Sequence, residues 1–318
     1  MDSLNKAESC ASTRRPPLQA RFLSLRPAYP LLAIITLLLF ILVVEALLGW
    51  QRLAAGWQQL PFAAQLGALP LLLLSYLLRS WRLHCYFALS LTGHWQPCLR
   101  LTLEHNALNS LMPLRSGELS FPLLARRYLH IPLSHGSMAL LIMRMQDLLV
   151  LSCLLVLLLA PGLWRSLGLA WALLSPLLLY QLGGVIWPQL THRRWPRLNA
   201  LARYWPPRTH FNRSYLLSWS NWLLKLAGMS ALATWMAGEA PARALLAVVG
   251  GELSGLLPVQ GPLGIGSYEA SAALAVTLHS PISTAMMTAI INLHLLLLLA
   301  ALVTPLLFVA YLRMRHRA

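Results

Sequence analysis

Apolar residues in this chain come in long unbroken runs rather than in the alternation of a strand or the one-sided stripe of a soluble helix. Six runs approach the roughly 20 residues that cross a bilayer as a helix: Tyr29–Trp50, Phe62–Leu78, Met138–Ala160, Leu167–Trp187, Tyr215–Ala237 and Ser283–Leu312. Glu45 interrupts the first near its end, Lys225 lies inside the fifth, and Pro70 and Pro176 fall within spans two and four. Membrane helices tolerate such prolines when neighbours satisfy the freed backbone groups. Two further apolar stretches are too short. Leu99–Leu111 meets Met112-Pro113-Leu114-Arg115-Ser116-Gly117-Glu118 and resumes over Leu119–Leu129. Ala244–Leu257 meets Pro258-Val259-Gln260-Gly261-Pro262-Leu263-Gly264-Ile265-Gly266 and resumes over Ser267–Leu278. At about 1.5 Å per residue each half reaches only about 20 Å, against a hydrocarbon core of about 30 Å. Each pair therefore reads as a re-entrant or broken-helix hairpin whose Pro/Gly turn sits at membrane depth. The expected fold is an all-α polytopic membrane protein of about six full transmembrane helices plus two such hairpins.

Composition supports this and excludes a soluble enzyme. Of the 318 residues 58% are hydrophobic and 11% charged, less than half the charged fraction of an ordinary soluble domain. The first 27 residues are polar, basic and proline-containing and read as a cytoplasmic tail, followed by one transmembrane domain over 28–318. Its halves are 28–160 and 161–312, with a basic cytoplasmic loop at 188–214. The apolar run after the tail is too long for a signal peptide and lacks a small-x-small cleavage site, so it reads as a retained helix.

Charge then gives the chain a direction. With both termini on one side, that side holds nineteen of the 25 basic residues, including Arg79, Arg82, Arg100, Arg126, Arg127 and the Arg193–Arg213 loop. Arg52, Arg165 and Arg243 fall opposite, and Arg115, Arg144 and Lys225 stay within the membrane. The positive-inside rule makes the termini cytoplasmic in a bacterial inner membrane. The net charge of +16 is accounted for by orientation and anionic lipid, so nucleic acid is not an expected partner. The hairpins then enter from opposite faces. Their turns are alike: Leu111-Met112-Pro113 with Gly117-Glu118 matches Leu256-Leu257-Pro258 with Gly266 and Glu269. Interrupted segments at corresponding points of two halves indicate an inverted repeat with a midplane site.

Ionisable side chains inside a membrane cost about 3 kcal/mol or more and face a cavity or a partner. Arg115 and Glu118 flank the first turn, Glu252 and Glu269 bracket the second, and Arg144 and Asp147 share a helix face at i,i+3. Lys225 lies mid-span, and Asn106, Asn109 and Asn221 add amides. The functional reading is a cavity of mixed charge in which cations bind an anionic headgroup and carboxylates balance charge or take a proton. The half-helices beyond the turns would offer free N–H groups to an anion, with Gly261, Gly264 and Gly266 allowing close backbone approach. The alternative is that Arg144–Asp147 and Arg115–Glu118 are salt bridges fixing helix packing, and that the glycines only let the chain turn. Cys10, Cys85, Cys98 and Cys153 show no CxxC spacing and the ten His no HxxxH pair, so no metal, cofactor or disulfide framework is expected. Lone His residues read as structural.

Three ordered motifs from about Leu71 onward resemble the lysylphosphatidylglycerol synthase transmembrane-region family of flippase-like membrane proteins. They are Asn106 to Glu118 with Pro113, Arg115 and Gly117; Met143-Arg144-Met145-Gln146-Asp147; and Leu257 to Glu269 with Pro258, Gly261, Gly264 and Gly266. Met143 stands where the family usually has Glu, and Pro262 where many members have Gly. The resemblance implies binding or translocation of lipids, in some members fused to a soluble aminoacyl-transfer domain. This chain ends at Ala318, just after the last span, so lysine transfer is not expected of it alone. The leading expectation is a transporter that binds an anionic or aminoacylated lipid headgroup between the two broken helices, without bond chemistry. Two readings stay open beside it: a membrane enzyme acting on a lipid or polyprenyl phosphate, and a non-catalytic partner of a soluble lipid-modifying transferase. Membrane lipids are the expected partners, with a homo-oligomer or a soluble transferase as further candidates.

Overall fold

The structure is a computed structural model describing residues 28–88, 95–159, 162–186, 189, 203–256, 260–278 and 280–315. The described residues form helices and turns, with no strand among them. In chain order the helices are α1 (Ala28–Leu47), α2 (Trp50–Gln58), α3 (Phe62–Tyr86), α4 (Gln96–Leu111), α5 (Ser120–Leu129), α6 (Leu133–Leu159), α7 (Gly162–Gln181), α8 (Arg208–Ala237), α9 (Pro241–Ser254), α10 (Ser267–Thr277) and α11 (Thr284–Arg315).

Three of them (α3, α6 and α11) are long and apolar enough to cross a membrane, and five spans result if each of two bent pairs counts as one. The first bent pair replaces the single expected run Tyr29–Trp50. The axis turns by 78° between α1 and α2, at Gly49, whose φ of 80° suits a residue without a side chain. Glu45 Oε2 accepts the Trp50 N–H at 3.0 Å across the bend, so this carboxylate caps the next helix instead of lying idle in an apolar run. The second bend, 44°, lies in the expected fourth span beside Pro176, whose ring cannot continue the helical hydrogen-bond ladder. The fifth expected span is present as α8, a 30-residue helix opened by Pro207 and closed by Gly238 in the left-handed conformation. Its Asn212, Ser214, Ser218, Ser220, Asn221 and Lys225 make it less apolar than the others, and most of these polar groups turn inward. Among the described residues, length and apolarity alone give three to five spans, against the six expected.

Both hairpins form where the short runs were broken. In the first, α4 ends at Leu111, a 3-10 turn covers Pro113–Leu119, and α5 returns. In the second, α9 ends at Ser254, a short 3-10 turn covers Pro262–Gly264, and α10 returns. The arms of the second lie close because Gly250 faces Ser271 O and Ala275, where a Cβ would come within 2.7 Å; small residues let helix backbones approach in this way.

The most extensive helix pair is α3 with α8, and it is antiparallel. Arg82 near the end of α3 meets Ser214 near the start of α8, while Gly228 lies against Ala68 and Leu71 at the other end. The first hairpin follows the end of α3 and the second follows the end of α8, so the two start from opposite ends of this pair. Their tips nevertheless touch: the first turn contacts the second, and α4 also reaches it. Each hairpin also packs on the last helix of the other unit, α4 on α11 and α9 on α6. The order long helix, hairpin, long helix thus occurs twice, over Phe62–Leu159 and Arg208–Arg315, with opposite direction.

One expectation fails here. Arg79 and Arg82, read as part of the cytoplasmic charge, lie inside the bundle, because α3 runs on to Tyr86 instead of stopping at Leu78. Arg82 is 2% exposed.

Candidate functional site

Two polar clusters occupy the interior, and they differ in how completely their hydrogen bonds are made. The first joins α3, α6 and α8. Arg82 donates to Asp147 Oδ1 at 2.6 Å, to Gln146 Oε1 at 3.0 Å, to the Met143 carbonyl at 2.9 Å and to Ser214 Oγ at 3.2 Å. Asp147 Oδ1 also accepts from Ser218 at 2.6 Å and from Trp222 Nε1 at 3.1 Å. Gln146 takes the Ser214 hydroxyl at 2.7 Å and donates to the Phe211 carbonyl at 3.2 Å. A guanidinium with this many acceptors and a carboxylate with this many donors are matched to each other, not to a ligand. Asp147 was expected beside Arg144 or in the transport site; its hydrogen bonds go to Arg82, Ser218 and Trp222 instead of to Arg144.

The second cluster surrounds a cavity of ≈ 150 Å³ where the hairpin tips meet the long helices. Three cations from three helices line it: Arg79 of α3, Arg144 of α6 and Lys225 of α8. Lys225 Nζ lies 2.7 Å from Glu252 Oε2 of α9. Arg144 Nε lies 3.2 Å from Glu118 of the first turn, not paired with Asp147. Arg79 donates to Asn106 Oδ1 at 3.2 Å. The Trp222 ring joins the two clusters. Its N–H is bound to Asp147, while Lys225 Nζ and the Arg79 guanidinium lie 5.3 and 6.0 Å from its ring centroid, where a π face attracts cations.

What distinguishes this cavity is the polar atoms left over. Asn106 Nδ2, Asn109 Oδ1, Glu252 Oε1 and Tyr268 Oη are buried with no hydrogen-bond partner among the described residues, and all four residues line it. Buried polar groups are nearly always satisfied, and leaving one unpaired costs about 1–3 kcal/mol. Four such atoms, from the three helices α4, α9 and α10, thus surround three cations.

Backbone geometry shapes both tips. Gly117 lies on α4, where a Cβ would fall 2.4 Å from Asn109 Cα, so this position needs glycine to seat the first turn. Gly266 (φ 79°) and Gly264 (φ 75°) carry the second turn through left-handed conformations, and Leu263 shares them at φ 59°. Gly261 sits over the Ile265 carbonyl, 2.6 Å from where its own Cβ would be. Glu269 turns back on its own helix: Oε2 accepts the Gly266 N–H at 2.8 Å, and Oε1 lies 2.6 Å from His294 Nδ1. The free N–H groups expected at the start of α10 are therefore partly taken by Glu269 as a cap. At the first tip the 3-10 turn runs straight into α5, so its N–H groups are used as well. Pro258 lies outside the described residues, as do the side chains of Pro113 and Arg115; the tail at 1–27 and most of the basic loop do too.

The structure thus brings Asn106, Asn109, Arg144, Lys225 and Glu252 to one cavity, with Glu118 and Glu269 holding its edges. Arg79, Tyr76, Tyr268, Gln260 and His294 also line it and were not singled out from the sequence. A signal existed for two of them. His294 stands alone within a run of leucines, and Arg79 precedes Trp81, Leu83, Tyr86 and Phe87, which continue the apolar run beyond it.

The family model described as lysylphosphatidylglycerol synthase TM region matches residues 31–303. The chain belongs to this family. That match runs from α1 to α11 and takes in both hairpins, so membership covers the site as well as the scaffold. The lysylphosphatidylglycerol synthase TM region places the chain among membrane proteins of lipid metabolism or transport. No curated relative matches it.

Proposed function

We propose that this protein binds the anionic headgroup of a membrane lipid in the cavity between the two hairpin tips and carries it across the inner membrane. The observation that carries this reading is the set of three cations, Arg79, Arg144 and Lys225, around buried amide and hydroxyl groups that lack partners among the described residues. A cavity of ≈ 150 Å³ accommodates a headgroup and leaves the chains outside. A hollow of ≈ 610 Å³ lined by Leu39, Phe40, Val43, Ile282, Met287 and Ile291 lies on the far side of the second tip and suits acyl chains. Glu118 and Glu252 keep their cations in place while the cavity is empty and release them when a phosphate competes. Hairpins that start from opposite ends give two entry routes to one site, the arrangement alternating access requires. The excess of basic residues in the tail, the loop and the last turn supports cytoplasmic termini.

The test is translocation of a fluorescent anionic lipid between leaflets of reconstituted vesicles, with a zwitterionic lipid as comparison. The wild type moves the anionic lipid faster, and Arg79→Gln with Lys225→Met abolishes the difference. Equal rates for the wild type and the double variant would sink the assignment.

A further inference from the structure

His294 makes two contacts that together fix its proton count. Nε2 lies 3.1 Å from the Leu263 carbonyl oxygen, and Nδ1 lies 2.6 Å from Glu269 Oε1. A carbonyl oxygen can only accept, so Nε2 carries a hydrogen. The short Nδ1 to Oε1 contact then needs a second hydrogen between its atoms, on the nitrogen or on the oxygen. Without it, two lone pairs face each other at 2.6 Å. The other carboxylate oxygen is occupied by the Gly266 N–H. The pair is nearly buried, with side chains 6% and 11% exposed, and Tyr268 stacks on the ring at 4.5 Å.

Its position is equally specific. His294 lines the polar cavity, whereas Glu269 and Gly266 line the apolar hollow. The pair and the second tip therefore form the partition between them, and the bond to Leu263 is part of what holds the tip. The charged and titratable groups on the cavity side are Tyr76 and Arg79 of α3, Arg144 of α6, Lys225 of α8, Glu252 of α9 and Tyr268 of α10. On the hollow side the polar neighbours are Ser283 and Thr284.

We propose that Glu269 and His294 are a proton-binding site and that the protein moves its lipid together with a proton. This rests on the transport reading above. The proton leaves by breaking its N–H or O–H bond and passing to water at the cavity, which leaves a carboxylate and a neutral His294 still carrying the Nε2 hydrogen. The pair changes from neutral to −1 in that step. An anionic headgroup among Arg79, Arg144 and Lys225 disfavours that negative charge, so headgroup and proton bind together and move in the same direction. Loss of the proton turns the contact repulsive and frees the second tip.

Two measurements on the full chain decide this. In lipid nanodiscs, nitrogen NMR of labelled histidine, with His294→Gln to assign the signal, should show Nε2 protonated and the second proton lost in one titration step. Glu269→Gln keeps a hydrogen bond to the ring without a titratable proton, and should abolish that step. In vesicles of phosphatidylglycerol with a zwitterionic lipid, an imposed pH gradient should accelerate translocation of the anionic probe from the acidic side. Each variant, compared with its own rate without a gradient, should lose the acceleration. An unprotonated Nε2, or acceleration retained in both variants, overturns the proposal. If no lipid moves in any protein, the transport reading fails while the NMR titration still decides the proton site.

Discussion

Arg82 and Lys225 are both cations buried in the same bundle, and their partners separate scaffold from site. Arg82 has every acceptor it needs within α6 and α8, whereas Lys225 shares a cavity with oxygens and an amide that have no partner among the described residues. Removing one partner of a buried pair costs about 3–5 kcal/mol, while replacing both with apolar groups is often nearly neutral. Asp147→Ala is therefore expected to lower the thermal midpoint in detergent sharply, and Arg82→Met with Asp147→Leu to recover much of it. Lys225→Met with Glu252→Leu, which removes both partners of the second buried pair, should leave the midpoint less affected and remove anionic-lipid binding, read by native mass spectrometry or lipid titration. If Asp147→Ala were thermally silent, the network would not be structural. Glycine 117 allows a cleaner test. A methyl placed 2.4 Å from the Asn109 backbone has no soft neighbour to displace, so Gly117→Ala should cost about 1–3 kcal/mol of stability.

At the scale of elements, the hairpins were legible because hydrophobic length is a hard constraint. Runs of eleven to fourteen residues bounded by Pro and Gly cannot cross about 30 Å of hydrocarbon, and the observed arms end close to where the runs do. What the sequence could not convey was pairing. Arg144 and Asp147 share a helix face, yet Arg144 reaches forward to Glu118 and Asp147 across to Arg82, because contacts between helices depend on which helix lies opposite. The depth of Arg79 and Arg82 was lost for a related reason: positive charge ends an apolar run in sequence but not a helix whose partner supplies carboxylates. His294 was passed over because one histidine has no spacing to recognise, and its meaning lies in a backbone carbonyl thirty-one positions away. The meeting of the tips is testable at this scale. In a chain with its native cysteines replaced, Asn109→Cys and Leu263→Cys should be joined by a short bifunctional thiol reagent, and joining them should arrest translocation. Failure to join them would contradict the contact between α4 and the second turn.

For the whole molecule, the opposed hairpins carry matching clamps at their bases. Arg100 pairs with Glu104 at 2.8 Å and Tyr128 donates to Glu104 at 2.6 Å in the first. In the second, Glu239 pairs with Arg243 at 3.2 Å and also holds Ser283, while Arg243 reaches the Pro281 carbonyl. These charges mark the ends of the hairpins away from their tips. Labelling intact cells with an impermeant thiol reagent should therefore modify Ala240→Cys and spare His130→Cys, with the reverse in inside-out vesicles. Labelling of both from one face would refute the inverted arrangement.

The meeting of the tips has an electrical consequence as well. Each tip brings one helix C-terminus and one helix N-terminus to the point where the tips meet, so the four terminal partial charges, about half a unit each, largely cancel. The backbone supplies shape without sign, and the sign of the cavity rests on Arg79, Arg144 and Lys225. Exchanging Lys225 and Glu252 should leave that sign unchanged, whereas Arg79→Glu with Lys225→Glu should turn the preference from anionic to cationic lipids, measured by relative translocation of the two probes. On the proposed reading, such a scaffold changes which lipid it accepts by altering two or three side chains, with no change in the path its backbone follows.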